Sequence, residues 1–247
     1  QWGYDISKNS NNGEYIIFRS NGSDRIALMS SNSGLMQLAI SMQNDWPDNS
    51  NNPDNPGTIL QTSNGYVLHT ETRGRDAPSG CSFGSETFPS IVKIDLQGNF
   101  QYHLAVDFED DDSKYYRVER TGAVVEAEAD VYYMVAQVLR CGFSDRELVL
   151  IKVTDTGSSF TLDNIFEMPN INNNSKLNDQ GWANFVVHES SNSLFKFSLL
   201  IGSNSSEATI ASYEIQNPNL SSSTVNNLST YSFNTNGQTN IGMAGEG

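Results

Sequence analysis

The chain of 247 residues carries 14 Lys and Arg residues against 29 Asp and Glu residues, which gives a formal net charge of −15 at pH 7. A surface this negative repels phosphate backbones and excludes nucleic-acid binding, and no apolar run approaches the roughly 18–20 residues that a membrane helix needs. The 28 Asn and 32 Ser residues favour turns over helices, while a 10% share of aromatic residues excludes full disorder.

Short strand-like runs follow one another along the chain, and four of them open with an aromatic residue after a turn. Two of these runs begin with Asn-Gly, the pair most typical of a tight hairpin, because both residues tolerate positive φ. No helical periodicity competes with this pattern, so the sequence predicts an all-β fold. The four runs are Asn12–Phe18, Asn64–Thr70, Ala129–Val135 and Asn192–Ser198.

A second element, an apolar run that ends in a polar turn, recurs after each of these strands. Its clear copies are Ile26–Gly34, Ile91–Gly98 and Leu150–Gly157, whose glycines are 64 and 59 residues apart, and a fourth copy, Ile210–Asn217, lacks the Gly. About four strands per unit at a fixed period is typical of β-propeller blades, and a β-sandwich is the alternative. The predicted blades are residues 1–45, 46–107, 108–170 and 171–235.

The second unit combines Asn64-Gly-Tyr with Ile91-Val-Lys-Ile-Asp-x-x-Gly, and in this it resembles the repeats of extracellular bacterial β-propellers. Those repeats read D-G-G-Y, a strand, a variable loop and a Lys-bearing strand that ends in D-x-x-G. The first unit departs from this pattern with Met29 at the Lys position, and the fourth lacks both Lys and Gly. The resemblance implies an exported protein at a bacterial cell surface, with a protein or a glycan as its partner.

The chain begins at Gln1 without an initiator Met, and its last residues show no closing strand pattern. A removed leader explains this beginning, and so does a cut fragment. We therefore expect residues 1–247 to form a single repeat-built β domain that is part of a longer chain.

The two cysteines, Cys81 and Cys141, occupy nearly equivalent places in the second and third units. They precede Lys93 and Lys152 by 12 and 11 residues. Two cysteines in a chain of this composition favour a disulfide bond in an oxidising compartment, and two unpaired thiols in unrelated loops are the alternative.

One group of polar and aromatic residues is a candidate ligand surface. Strand alternation places His69, Glu71 and Arg73 on one face, where they line a polar pocket, satisfy one another's hydrogen bonds or form a solvated strand end. Trp46 lies in a loop-like segment rich in Asn, Asp and Pro and is the best candidate for an exposed aromatic platform.

No catalytic residue and no metal site is assigned from the sequence. Gly80–Gly84 matches the G-x-S-x-G pattern formally, but a Pro and a strand follow it instead of the helix that a nucleophile elbow requires. The acidic run Asp107–Asp112 offers oxygen ligands for Ca²⁺, without the order of an established calcium loop, and a solvated acidic turn is the alternative.

These observations favour a non-enzymatic binding or assembly module at the cell surface, such as an adhesin or an accessory subunit of a bacterial envelope complex. A propeller-type carbohydrate-active enzyme, a glycosidase or a lyase, is one alternative. A structural spacer within a larger surface protein is the other.

Overall fold

The computed structural model describes residues 3–8, 15–20, 25–30, 36–41, 53–54, 59–76, 85–96, 99–106, 116–141, 146–169, 176–177, 185–204 and 207–234. All regular secondary structure within these residues is β-strand. The prediction of an all-β fold is therefore confirmed.

The strands form four antiparallel meanders of four consecutive strands each, with two short strands beside them. Meander 1 comprises β1 (Gly3–Lys8), β2 (Tyr15–Ser20), β3 (Arg25–Ser30) and β4 (Met36–Ser41). The short β5 (Pro53–Asp54) precedes meander 2, which comprises β6 (Ile59–Thr62), β7 (Gly65–Asp76), β8 (Ser85–Asp95) and β9 (Phe100–Ala105). Meander 3 comprises β10 (Tyr116–Glu128), β11 (Val131–Arg140), β12 (Arg146–Asp155) and β13 (Phe160–Glu167). The short β14 (Lys176–Leu177) precedes meander 4, which comprises β15 (Phe185–Ser190), β16 (Leu194–Asn204), β17 (Glu207–Gln216) and β18 (Val225–Asn234).

These strands belong to three sheets. Meander 1 is a four-stranded sheet, and meander 4 with β14 is a five-stranded one. Meanders 2 and 3 share a nine-stranded sheet with β5, because β8 and β10 run parallel where Thr87 lies opposite Arg117. None of the three sheets closes on itself within the described residues.

The hairpin between β6 and β7 shows how local sequence sets the register. Thr62 pairs with Gly65, so the two turn residues are Ser63 and Asn64, one position earlier than the Asn-Gly pattern predicts. Gly65 is required for a different reason: a Cβ at this position would lie 2.0 Å from the carbonyl oxygen of Ile94 on β8. The missing side chain lets the two strands approach closely.

Meander 3 is packed on both faces. On one face, Met134 of β11 belongs to a buried apolar cluster with Ile91 of meander 2. On the other face, Tyr133 belongs to a second cluster with Phe195 of meander 4. Successive strand residues point to opposite faces, so a strand covered on both sides is apolar at nearly every position. This explains the apolar residues Leu148–Ile151 and Val153 of β12, which only Lys152 interrupts.

The first strands of the meanders lie side by side in chain order. β6 is a neighbour of both β1 and β10, and β10 is in turn a neighbour of β15. β9 and β13, the last strands of meanders 2 and 3, are also neighbours. Meanders 2 and 3, which are neighbours at both their first and their last strands, are thus stacked in the same orientation.

Candidate functional site

His69 is the one residue of the predicted ligand surface whose side chain the structure describes. It lies on β7 with no exposed surface, and its Nδ1–H donates to the carbonyl oxygen of Gly122 on β10 at 2.8 Å. Burial lowers the pKa of His69 to about 4, although this hydrogen bond opposes the shift. The interpretation of His69 as part of a solvated strand end is therefore corrected: the ring is buried between meanders 2 and 3.

The other predicted site residues are only partly covered by the structure. Glu71 and Arg73 belong to β7, opposite Pro89 and Thr87 of β8, and their side chains lie outside the described residues. Trp46 also lies outside the described part of the chain. The exposed aromatic platform and the polar triplet stay predictions.

Cys141 directly follows β11 and takes part in a disulfide bond. Cys81, the other cysteine of the chain, lies outside the described residues. The predicted pairing of Cys81 with Cys141 thus stays a prediction.

The lysine of the second repeat unit links meander 2 to meander 3. Lys93 on β8 lies 3.3 Å from a carboxylate oxygen of Asp155 at the end of β12, and both side chains are almost completely buried. Lys93 also donates to the Thr62 hydroxyl at 2.9 Å, and the Tyr102 hydroxyl donates to Asp155 at 2.6 Å. Burial raises the pKa of Tyr102, and the hydrogen bond to Asp155 and its negative charge add to the shift.

The lysine of the third unit makes the corresponding connection to meander 4. Lys152 on β12 donates to the side-chain oxygen of Asn219, which lies in the loop between β17 and β18. Its ammonium nitrogen lies 3.8 Å from a carboxylate oxygen of Asp163 on β13, and the same oxygen accepts a hydrogen bond of 2.6 Å from Thr154. The repeat lysine thus reaches forward to the next meander in both units.

Beside Lys152, a cleft of about 530 Å³ opens between the turn ends of meanders 3 and 4. The ends of β10 and β12 and the start of β13 form one wall, and the turns that follow β15 and β17 form the other. Most of the lining side chains are polar; Glu128, Lys152, Asp163, Asn192 and Asn219 carry its charges and amides, and Leu162 is an apolar lining residue.

Two hydrogen bonds involve the turn residues of the cleft. The first joins two turns of meander 4, and the second joins meander 4 to meander 3. The Asn219 amide donates to the side-chain oxygen of Asn192 at 3.1 Å. The Ser190 hydroxyl donates to the Glu128 carboxylate at 3.0 Å. Together with the contacts of Lys152, these bonds link polar groups of the two meanders around the cleft.

An aromatic stack supports the cleft from below. Tyr133, which lines the cleft, stacks on Phe195 with ring centroids 3.9 Å apart and an interplanar angle of 11°. Phe195 stacks on Phe197 at 5.1 Å, and Phe197 on Tyr213 at 5.2 Å. Burial raises the pKa of Tyr133, with the nearby charge of Glu128 as a second cause. The base of the cleft is therefore a stack of buried aromatic rings.

Sequence reasoning identified the repeat lysines but not what they contact. The partners Asp155, Asp163 and Asn219 stand at unrelated distances along the chain, so spacing alone does not connect them. One available signal was the charge of the repeat lysine inside an apolar strand, because a buried ammonium needs a partner.

No group of three or more His, Cys, Asp or Glu residues in the described part of the chain is arranged to hold a metal ion. The acidic run Asp107–Asp112, the candidate Ca²⁺ site, lies outside that part and stays a prediction. Among the described residues, no helix has the length and the apolar character needed to cross a membrane.

Comparison with protein-family models and with the sequences of curated proteins finds no match to this chain.

Proposed function

We propose that the four meanders are blades of a β-propeller and that they form one repeat-built domain. The first strands of successive blades lie nearest the axis of a propeller, which agrees with the row of neighbours β1, β6, β10 and β15. A β-sandwich has one core between two sheets, whereas meander 3 has an apolar cluster on each face. This double-sided packing favours serial stacking of blades.

On this scaffold the chain acts as a non-enzymatic binding or assembly module. The observation that carries this function is the cleft beside Lys152, where loops of two meanders bring hydrogen-bonded polar groups together. Ligand sites are typically concave, about 300–1,000 Å³ in volume, and contain a few well-placed polar groups. A structural spacer needs no such cleft.

The setting we propose is the outside of a bacterial cell, where the module serves as an adhesin or as an accessory subunit of an envelope complex. The disulfide bond of Cys141 supports an oxidising compartment, in which such bonds persist. The resemblance of the second unit to extracellular propeller repeats supports the same location. The partner is then a protein or a glycan of the cell surface.

The test is to fill the cleft and measure binding to surface material. Asn192→Trp places a bulky ring in the cleft, and Ser193→Trp places it on the neighbouring exposed residue of the same turn, which does not line the cleft. On arrays of glycans and of purified envelope proteins, we expect Asn192→Trp to abolish retention of the chain and Ser193→Trp to preserve it. Equal retention of both variants would refute the cleft as the binding site.

A propeller-type carbohydrate-active enzyme is the second candidate, because two carboxylates, Glu128 and Asp163, line the same cleft. Paired carboxylates about 5–10 Å apart perform acid–base chemistry on glycosidic bonds. Asp163, however, already contacts Lys152 and Thr154, whereas a general acid is normally kept away from cations. Release of reducing sugar by the chain, lost in both Glu128→Gln and Asp163→Asn, would establish this alternative.

A further inference from the structure

The chemistry of the cleft narrows the class of ligand beyond the proposed binding function, on which this inference rests. Lys152 is the cation of the cleft lining, and its contacts with Asp163 and Asn219 already engage its charge. Glu128 adds a second carboxylate, so the lining carries one positive and two negative charges. A phosphate, sulfate or carboxylate ligand would meet net repulsion here, reinforced by the chain's charge of −15.

A quaternary ammonium ligand lacks the open aromatic faces on which its binding relies. A primary ammonium group binds carboxylates instead, and of the two carboxylates in the lining Asp163 is already paired and Glu128 already accepts a hydrogen bond from Ser190. Tyr133 is the aromatic residue of the lining, and Phe195 stacks on one face of its ring at 3.9 Å. The Asp163 carboxylate is already balanced by Lys152 at 3.8 Å.

What the cleft does offer is a set of amides, carboxylates and hydroxyls next to apolar carbon. Amide groups both donate and accept, and carboxylate oxygens have about four acceptor positions, which suits hydroxyl groups that donate and accept in turn. Leu162, with 36% of its surface exposed, provides carbon contacts for C–H groups. The volume of about 530 Å³ has room for one or two pyranose rings.

From these contacts we infer that the cleft between meanders 3 and 4 binds a neutral, hydroxyl-rich ligand, a saccharide of one or two uncharged sugar units. The amides of Asn192 and Asn219 and the carboxylate of Glu128 hydrogen-bond its hydroxyls. The apolar side chain of Leu162 packs against its C–H face.

The experiment is isothermal titration of the intact chain with a set of neutral disaccharides, with uronate and sulfated disaccharides of the same size, and with choline. We expect the neutral disaccharides to bind. Their affinity stays constant between low and high NaCl concentrations, because an uncharged ligand makes no ionic contact that salt could screen. Asn192→Ala weakens binding about tenfold through the loss of hydrogen bonds to the ligand. Asn226→Ala, an exposed Asn on β18 outside the cleft, leaves it unchanged. Thermal melts of both variants confirm that they are folded.

Each of the other outcomes contradicts the ligand class, the site or the non-enzymatic function. If anionic disaccharides or choline bind better than the neutral disaccharides, or if no saccharide binds, the ligand class is refuted. The binding module is then judged on its protein partners. Neutral binding that Asn192→Ala does not change refutes the site. Cleavage of a bound neutral saccharide preserves the ligand class and refutes the non-enzymatic function.

Discussion

At the scale of single residues, the buried polar groups between meanders 2 and 3 are the most informative feature. His69, Lys93 and Asp155 are all nearly inaccessible to solvent. Burial of a polar group lowers stability unless a partner compensates for the lost water. Each of these residues has such a partner on the other meander, so their contacts join two repeat units and not only two strands.

The burial of His69 predicts a loss of stability in mild acid. Its pKa is about 4 in the folded chain against 6.5 for an ordinary His, so the unfolded chain binds the extra proton first as the pH falls. The contribution of His69 to the free energy of unfolding is therefore fully present above pH 6.5. It declines by about 3 kcal/mol as the pH falls towards 4. Urea titrations of the wild type and His69→Gln measure it, because subtracting the two profiles removes the titration of other groups.

The matched control for this measurement is His188→Gln, which changes an exposed histidine. Its profile should keep the acid-dependent decline of the wild type. Parallel profiles of the wild type and His69→Gln would show that His69 contributes nothing to the decline.

The pair of Lys93 and Asp155 predicts a large and non-additive effect of substitution. Lys93→Met leaves a carboxylate buried without its cation, which lowers the free energy of unfolding by about 3–5 kcal/mol. The double variant Lys93→Met with Asp155→Asn removes the stranded charge and recovers part of this loss. Lys196→Met, at a lysine whose ion pair is much more exposed, should change stability by about 0.5 kcal/mol or less. If the effects of Lys93→Met and Asp155→Asn on urea unfolding were additive, the pairing would be contradicted.

At the scale of strands and turns, the sequence pattern located most elements but not their pairing geometry. The polar turns and aromatic strand openings predict β7, β11 and β16 closely, because alternation and turn chemistry are local properties. The turn of the β6–β7 hairpin lies one position earlier than the Asn-Gly pattern predicts. The pattern misses this because the approach of Gly65 to Ile94 depends on a strand that is distant in sequence. The left-handed position filled by Gly157 in the third unit, with φ 84°, is filled in the fourth by Asn217, with φ 52°. The missing Gly of the fourth copy is thus replaced by the other residue that tolerates this conformation.

The close approach at Gly65 gives a prediction at this scale. Gly65→Ala places a methyl group against the backbone of Ile94, which no rotamer change relieves, so β7 and β8 must separate. We expect a loss of about 1–3 kcal/mol in the free energy of unfolding. Ser63→Ala, at an exposed position of the adjacent turn, serves as the control and should change little. Equal stabilities of the two variants in thermal unfolding would show that the strands are not held at this distance.

At the scale of the whole molecule, the composition and the repeat predict an all-β chain of similar units, whereas the cleft is visible only in the three-dimensional structure. Its walls join residues 128, 152, 163, 192 and 219, which a one-dimensional period does not bring together. The cleft forms where the apolar cluster between meanders 3 and 4 ends and the turns of both continue past it. The abundant Asn residues thus have a second role besides turn formation, because two of the turns supply the amides of the proposed binding site.

The packing of meander 3 on both sides predicts that meanders 2, 3 and 4 unfold together. Met134 is completely buried on the face of β11 towards meander 2, so Met134→Ala lowers the free energy of unfolding by about 2–5 kcal/mol. If the three meanders are one cooperative unit, hydrogen exchange then accelerates in β16 and β17 as much as in β7 and β8, although Met134 does not belong to the cluster of meander 4. Acceleration confined to meanders 2 and 3 would instead indicate independent nearest-neighbour units, as in linear repeat proteins. Leu199→Ala, within the cluster of meander 4, is the reciprocal variant and must spread its effect to β7 and β8 in the same way.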